Sequence, residues 1–404
     1  EHMKEPYDFH NPNLLGVAEQ IKRLRPLRQA MEQADLRAAL VSSPVSIYYL
    51  TGRIYRGYLY ITVDNDAPLY LVRRPTILHG PGVHLIAKPS QINEALAKAG
   101  MAVGEPVALE LDTMPYHDAM RLAQALGMEA PEGNISPLLR ACRAVKTERE
   151  KDMLRRSGVK HAEVYSRIPG LYKTGMTDIE LQIEIERASR LEGCLGIFRC
   201  AGPEMEIFMG NVLTGDNADA PSPYDFAMGG AGLDPSLPVG ADGTVIRPGL
   251  PVMVDVNGNY TGYMTDMTRC FAAGTVSPEV ERANRLSADI CAGLAGMMAP
   301  GTAAADLYNR ALEMAREAGM EEYFMGHRSH AGFVGHGVGI EINELPVIAP
   351  RSRDILAAGN AIALEPKFVL PGIGAVGVEN TYLVGSSAPG ELITKAPQNI
   401  VTLA

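Results

Sequence analysis

The pattern of apolar and polar positions divides the chain into two parts of different texture. Near the start, IKRLRPLRQAMEQADL has the apolar period of a helix, with its basic residues on the outer face. AALVSSPVSIYYLTG then alternates strand-like and turn-like pieces, and YLYITVD, the turn Asn65-Asp66 and APLYLVRR read as a hairpin. INEALAKAG, VALELD and YHDAMRLAQALG continue the alternation and complete an α/β unit by about Arg140. The boundary falls in RACRAVKTEREKDMLRRSG, where Thr147 and Glu150 form a capping box that opens a new helix. Thr177 and Glu180 do the same for DIELQIEIERASRLEG. Two domains are expected, 1–143 and 144–404.

The second part repeats itself. KTGMTDIELQIEIERASRLEG and APGTAAADLYNRALEMAREAG each run between equally spaced glycines, Gly175 to Gly193 and Gly301 to Gly319, with Glu180-Leu181 and Asp306-Leu307 at matching places. Two related helix-plus-hairpin halves predict a pseudo-two-fold domain; chance likeness of two amphipathic helices is the plain alternative. Between them, residues 202–250 are rich in Gly, Pro, Asn and Asp. So long an irregular segment is usually functional, and its expected place is the mouth of a site.

Four acids and a histidine break the apolar pattern. Asp255 interrupts PVMVDVN and Asp266 interrupts GYMTDMTRCF, on either side of NGNYTG. Glu365 interrupts AIALEP and Glu379 interrupts AVGVEN, so a hairpin turning at Pro371-Gly372 sets these two glutamates opposite one another. His336 lies in a Gly-rich GHGVG turn. Any one of them alone reads as a strand-end residue, an ion-pair partner or a loop histidine. Together they need compensation, because an unpaired buried carboxylate costs on the order of several kcal/mol. Arg269 and Lys367 are too few to neutralise four anions. A pair of divalent ions can, and four carboxylates with one imidazole suit Mn, Co, Fe or Zn.

On DVNGNYTGYMTDMTR, GHGVGIEINELP, ALEPKF and GAVGVENTYLV the chain resembles the metallopeptidase family of Xaa-Pro aminopeptidases, prolidases and methionine aminopeptidases. VSSPVSIYYLTG loosely resembles the amino-terminal domain of creatinase and prolidase relatives. The resemblance implies an α/β N-terminal domain followed by an α+β pita-bread catalytic domain with pseudo-two-fold symmetry. It implies metal ligands at Asp255, Asp266, His336, Glu365 and Glu379, two divalent ions, and a homodimer. The implied reaction is hydrolysis of an amide bond in a small dipeptide-like substrate by a metal-activated water; Glu365 is the ligand expected to double as general base, and Asn343 is expected to stabilise the oxyanion or hold the substrate.

Two positions depart from that family's pattern. Val239, in Pro238-Val239-Gly240, and Asn343, in Asn343-Glu344, stand where the family carries histidines. An amide donates a hydrogen bond but exchanges no proton near neutral pH, and valine does neither. His327 and His330 are candidate replacement proton donors, and Arg328 is a candidate clamp for a substrate carboxylate; their plain reading is as loop residues. Tyr224, Asp225 and Glu344 are weaker candidates for binding substrate, and Arg269 is expected to anchor the strand beside Asp266. The two losses keep open a metal-dependent lyase of a small sulfonium compound or an amidinohydrolase, with a binding module as a third reading.

Composition acts by exclusion. With 46% hydrophobic and 21% charged residues among 404, the chain reads as an ordinary soluble globular protein. The net charge of −10 argues against nucleic acid and anionic membranes as partners. No apolar run approaches the roughly 18 residues of a membrane span. Cys142, Cys194, Cys200, Cys270 and Cys291 show no paired spacing, which suits a reducing cytoplasm and core filling. The polar start EHMKEPYDFHNPN is read as carrying no leader segment.

Overall fold

In the computed structural model, which describes residues 13–101, 106–202, 209–224, 226 and 228–404, the chain divides into two units, Glu1–Arg143 and Ala144–Ala404. The polar start, on which the expectation of no leader segment rested, lies outside the described residues except for Asn13. Among the described residues no helix is long and apolar enough to cross a membrane.

The first unit is a five-stranded mixed sheet flanked by helices. Its strands are β1 (Ala38–Val41), β2 (Arg56–Thr62), β3 (Leu69–Arg74), β4 (Val83–Leu85) and β5 (Val107–Leu109), in the order β4-β3-β2-β1-β5. The hairpin expected around Asn65-Asp66 is β2–β3, and β1 pairs with β5 in parallel. The helices are α1 (Val17–Gln33), α2 (Pro44–Thr51), α3 (Ile92–Lys98), α4 (Tyr116–Leu126) and α5 (Ser136–Ala144).

Two expectations fail here. SPVSIYYLTG is helical, not strand-like: Ser43 accepts from the Ser46 amide as N-cap, Pro44 takes the first turn, and Gly52 ends α2 in the left-handed conformation. Caps outweigh the strand preference of Val, Ile and Tyr. Nor do the arginines of α1 all face outward. Arg23 is 1% exposed and donates to the Tyr49 carbonyl and to Glu19. Arg28 donates to the carbonyls of Thr62 and Asp66. Both guanidiniums close exposed ends of backbone, which periodicity cannot reveal.

The second unit shows the repeat. Its helices are α6 (Glu148–Arg167), α7 (Asp178–Leu191), α8 (Pro278–Ala295) and α9 (Ala304–Glu317), and the boxes at Thr147/Glu150 and Thr177/Glu180 cap the first two. Its strands are β6 (Gly210–Thr214), β7 (Pro251–Val256), β8 (Gly258–Asn259), β9 (Met264–Thr265), β10 (Thr268–Ala272), β11 (Gly335–Gly337), β12 (Glu344–Ile348), β13 (Ala361–Leu364), β14 (Lys367–Leu370), β15 (Gly374–Gly377), β16 (Asn380–Leu383), β17 (Glu391–Leu392) and β18 (Val401–Thr402).

The two main sheets run β18-β10-β7-β6 and β12-β11-β13-β16-β17, so that β10-β7-β6 corresponds to β16-β13-β11. The start of α7 bridges Thr177 to Val245, and the start of α9 bridges Ala303 to Ile355, through matching backbone bonds (Asp178 amide to Thr244 carbonyl, Ala304 amide to Asp354 carbonyl). All four glycines that bound the repeated segments adopt positive φ, which favours glycine. One departure is in 202–250: residues 210–219 are β6 and a 3₁₀ turn, Gly215–Asp219. GNVLT is too short, and too closely flanked by Gly and Asp, to stand out as a strand.

Candidate metal centre

The acids sit at matching ends of strands. In the first half Asp255 on β7 faces Thr268 on β10, which places Asp266 diagonally from Asp255 and not directly across. In the second half β13–β16 pairs Leu364 with Asn380 and β14–β15 pairs Lys367 with Gly377. Both ladders share one register, and Glu365 and Glu379 take the opposed positions in the gap between them. Their amides turn elsewhere: Glu365 donates to Val334, and Glu379 donates to the Thr268 carbonyl and so ties the halves together. His336 lies on a strand, β11, and not in a turn, at a register irregularity against β12.

These five side chains form two donor groups. Asp266, His336 and Glu379 offer ligand atoms within 4.8 Å of one another, as do Asp255, Glu365 and Glu379. His336 Nε2 lies 3.2 Å from Glu365 Oε1 and 3.7 Å from Asp266 Oδ2. Asp266, Glu365 and Glu379 are buried, whereas the side chains of Asp255 and His336 keep 20% and 14% exposure, so the cluster opens to solvent past these two.

Lys367 joins the cluster from two residues beyond Glu365. Its Nζ donates to Asp255 Oδ2 and Glu365 Oε2, both at 2.8 Å, and more weakly to Glu379 Oε2 at 3.4 Å, with the side chain fully buried. By charge alone this lysine is too little to compensate four carboxylates; its spacing two residues from Glu365, which sets both on one face of an extended chain, is the signal in the sequence for its place here.

Charge is unevenly satisfied. Burial alone would lift Glu365, but the Lys367 ammonium and the His336 ring outweigh it and hold the carboxyl down to about 2. Burial and then the Asp255 charge push Asp266 up to about 7. Burial, Asp266 and Glu365 raise Glu379 well above the carboxylate range. Burial would lower His336, but Glu365 and Asp266 raise it to about 9. Negative charge is thus short of partners on the Asp266–Glu379 side. Glu379 Oε1 is buried with no hydrogen-bond partner among the described residues. A divalent cation fits there: two carboxylates and an imidazole are a donor set for Mn, Fe, Co or Zn.

Neighbouring groups orient the ligands. Thr268 Oγ1 donates to Glu379 Oε2 at 2.7 Å. Thr381 Oγ1 accepts from the Asp266 amide and donates to its carbonyl, both at 2.9 Å. Arg269, as expected, anchors the strand: it donates to the carbonyls of Thr268 and Glu379 and to Asn380 Oδ1, and leaves the carboxylates alone. Thr268 and Thr381 were not singled out from sequence, since a threonine in a strand is unremarkable until its partner is known.

Several expected roles are not met. Both oxygens of Glu365, the expected general base, are already engaged, by His336 and Lys367. Asn343 donates one Nδ2–H to the Ala201 carbonyl and accepts the Ala201 amide at Oδ1, so it pins a loop and keeps one N–H of its side-chain amide for another partner. Glu344 forms a buried pair with Lys146 at 2.8 Å and accepts from the amides of Ile340 and Glu341, which removes it from substrate. Val239 is buried at 3% exposure. His327 Nδ1 and the Arg328 amide both donate to Asp219, and His330 Nδ1 donates to the Phe324 carbonyl. Tyr224, His327 and His330 share a cavity of about 110 Å³ with Asp219 and Met228. The Arg328 side chain is 62% exposed. Asp225 lies outside the described residues.

Both parts of the chain are similar to known proteins. Residues 23–145 match the creatinase/prolidase N-terminal domain. The chain is 29% identical over 283 residues to the probable dipeptidase PepE of Mycobacterium bovis, covering 70% of this chain and 66% of that protein, just under two thirds of its length. It is 23% identical over 386 residues to the Xaa-Pro dipeptidase of Pyrococcus furiosus, covering 94% and 99% of the two chains. The solved Xaa-Pro dipeptidase from Bacillus anthracis superposes with a TM-score of 0.78 at 23% identity, over 96% of this chain and 100% of that one, which speaks to the fold. Residues 152–386, which contain all five candidate ligands, match the model of metallopeptidase family M24, and the chain belongs to that family.

Proposed function

We propose that the chain is a metal-dependent hydrolase that cleaves the amide bond of a small dipeptide-like substrate, with Xaa-Pro dipeptides the first candidates. The observation that carries this reading is the pair of donor groups sharing Glu379, built from both halves of the repeat around a buried oxygen that lacks a hydrogen-bond partner among the described residues. The similarity to a probable dipeptidase and an Xaa-Pro dipeptidase supports the substrate class. When bound, a divalent ion lowers the pKa of a water and polarises a carbonyl oxygen.

The chain's own residues provide the setting. Asp266, His336 and Glu379 hold the ion, and Thr268 and Thr381 keep Glu379 and Asp266 oriented. Lys367 fixes Asp255 and Glu365. Substrate approaches past Asp255 and His336, the partly exposed members. The two ions expected from sequence fit the two groups only where Lys367 vacates the second.

The test is release of free amino acids from Ala-Pro and Ala-Ala by the Mn²⁺-loaded protein. Release is expected, and is expected to cease with chelator; a fully loaded protein inert toward every dipeptide would remove the peptidase reading. One observation favours a second reading, a lyase of a small sulfonium compound or an amidinohydrolase on the same scaffold. Neither buried Val239 nor the engaged Asn343 replaces the proton-exchanging histidines. Assaying small sulfonium and guanidino compounds beside the dipeptides separates the readings.

A further inference from the structure

We infer that Lys367 takes one of the two cation positions of this centre, so that each chain holds a single divalent ion, among Asp266, His336 and Glu379. The inference rests on the metal-dependent reading above and deepens it.

The carboxylates within ion-pairing distance of Lys367 Nζ are Asp255, Glu365 and Glu379, at 2.8, 2.8 and 3.4 Å. The same three residues make up the second donor group. Nζ therefore stands where an ion held by those oxygens would have to sit. Three N–H bonds meet three carboxylates there, so the donors and acceptors are matched. A second cation at contact distance would meet strong repulsion in a buried site.

The lysine is seated by the fold. It pairs across the β14–β15 hairpin with Gly377, and a Cβ at that glycine would come within 2.7 Å of Lys367 Cγ. The glycine leaves the room through which the lysine stem reaches the carboxylates. Among the described residues no lysine or arginine side chain is paired with Asp266, and Glu379 pairs with Lys367 alone. Arg269, the other nearby cation, is directed to backbone carbonyls and Asn380, and Glu379 Oε1 still lacks a hydrogen-bond partner among the described residues. One group is filled by a lysine that cannot act as a ligand; the other holds an imidazole, whose nitrogen can give up its proton and bind an ion.

The experiment counts ions. Protein stripped with chelator is titrated with Mn²⁺ by calorimetry, the bound metal is measured by mass spectrometry, and the Mn²⁺ electron paramagnetic resonance spectrum is recorded. The wild type is expected to bind one ion per chain, with the spectrum of an isolated ion. Lys367→Ala is expected to double this to two, with the spectrum of a coupled pair. Two ions in the wild type overturn the inference and leave the hydrolase reading standing; none overturns both. A folded Lys367→Ala that still binds one ion also overturns it. Where the variant does not fold, the wild-type count and spectrum decide alone.

Discussion

Thr268 donates its hydroxyl to Glu379 Oε2 at 2.7 Å, and the same two residues exchange backbone hydrogen bonds. A residue of the first half thus orients the carboxylate common to both donor groups. Thr268→Val keeps the shape and removes only the hydroxyl. Mn²⁺ affinity is expected to fall roughly 10–100-fold, the usual effect of losing a group that orients a ligand. Calorimetric titration measures it, and an unchanged affinity would deny Thr268 this role.

His336 contributes the one imidazole of the first donor group. In His336→Ala, Mn²⁺ binding and dipeptide hydrolysis are expected to disappear together while the circular dichroism spectrum is kept. A variant with full metal content and full turnover is incompatible with the proposed centre.

The Lys146–Glu344 pair is a structural element, with side chains 1% and 2% exposed. Glu344→Ala leaves a buried ammonium without its carboxylate and strands the amides of Ile340 and Glu341, at a cost of about 3–5 kcal/mol. Denaturant unfolding reads the loss. A change below about 1 kcal/mol would mean that the pair is solvated.

His161 makes stability depend on pH. Burial holds its ring pKa down to about 3, and the ring is neutral: Nε2 donates to the Val256 carbonyl while Nδ1 accepts from Thr265. The folded-state pKa is lowered, so the unfolded chain takes up a proton first as pH falls. No penalty exists above about pH 6.5; it grows below that to on the order of 3 kcal/mol at pH 4 and levels off near pH 3. In chelator, the acid limb of the stability curve should flatten in His161→Gln relative to the wild type. Identical limbs would assign the pH dependence to other groups.

Several features of the fold were open to reading residue by residue. A carboxylate in an apolar strand has few physical explanations, so four scattered acids and a histidine pointed to one cluster, and the fold brings them together. The boxes at Thr147/Glu150 and Thr177/Glu180 are local devices, complete within four residues, and the β13–β16 and β14–β15 ladders keep the register that Pro371-Gly372 implied. By contrast, α2 was hidden because its Val, Ile and Tyr residues favour strands while its caps decide for a helix.

What the amino-acid order by itself determined, then, was the repeat, the hairpins and the set of acids and histidine that the fold gathers into one cluster, because each follows from local geometry or from the cost of burying a lone charge. What only the tertiary structure decided was partnership. Asn343 meets Ala201, Glu344 meets Lys146, and Lys367 reaches Asp255 across more than a hundred residues of chain. Whether a polar side chain serves chemistry or architecture depends on which group faces it, and such partners are brought together by packing that no local pattern encodes.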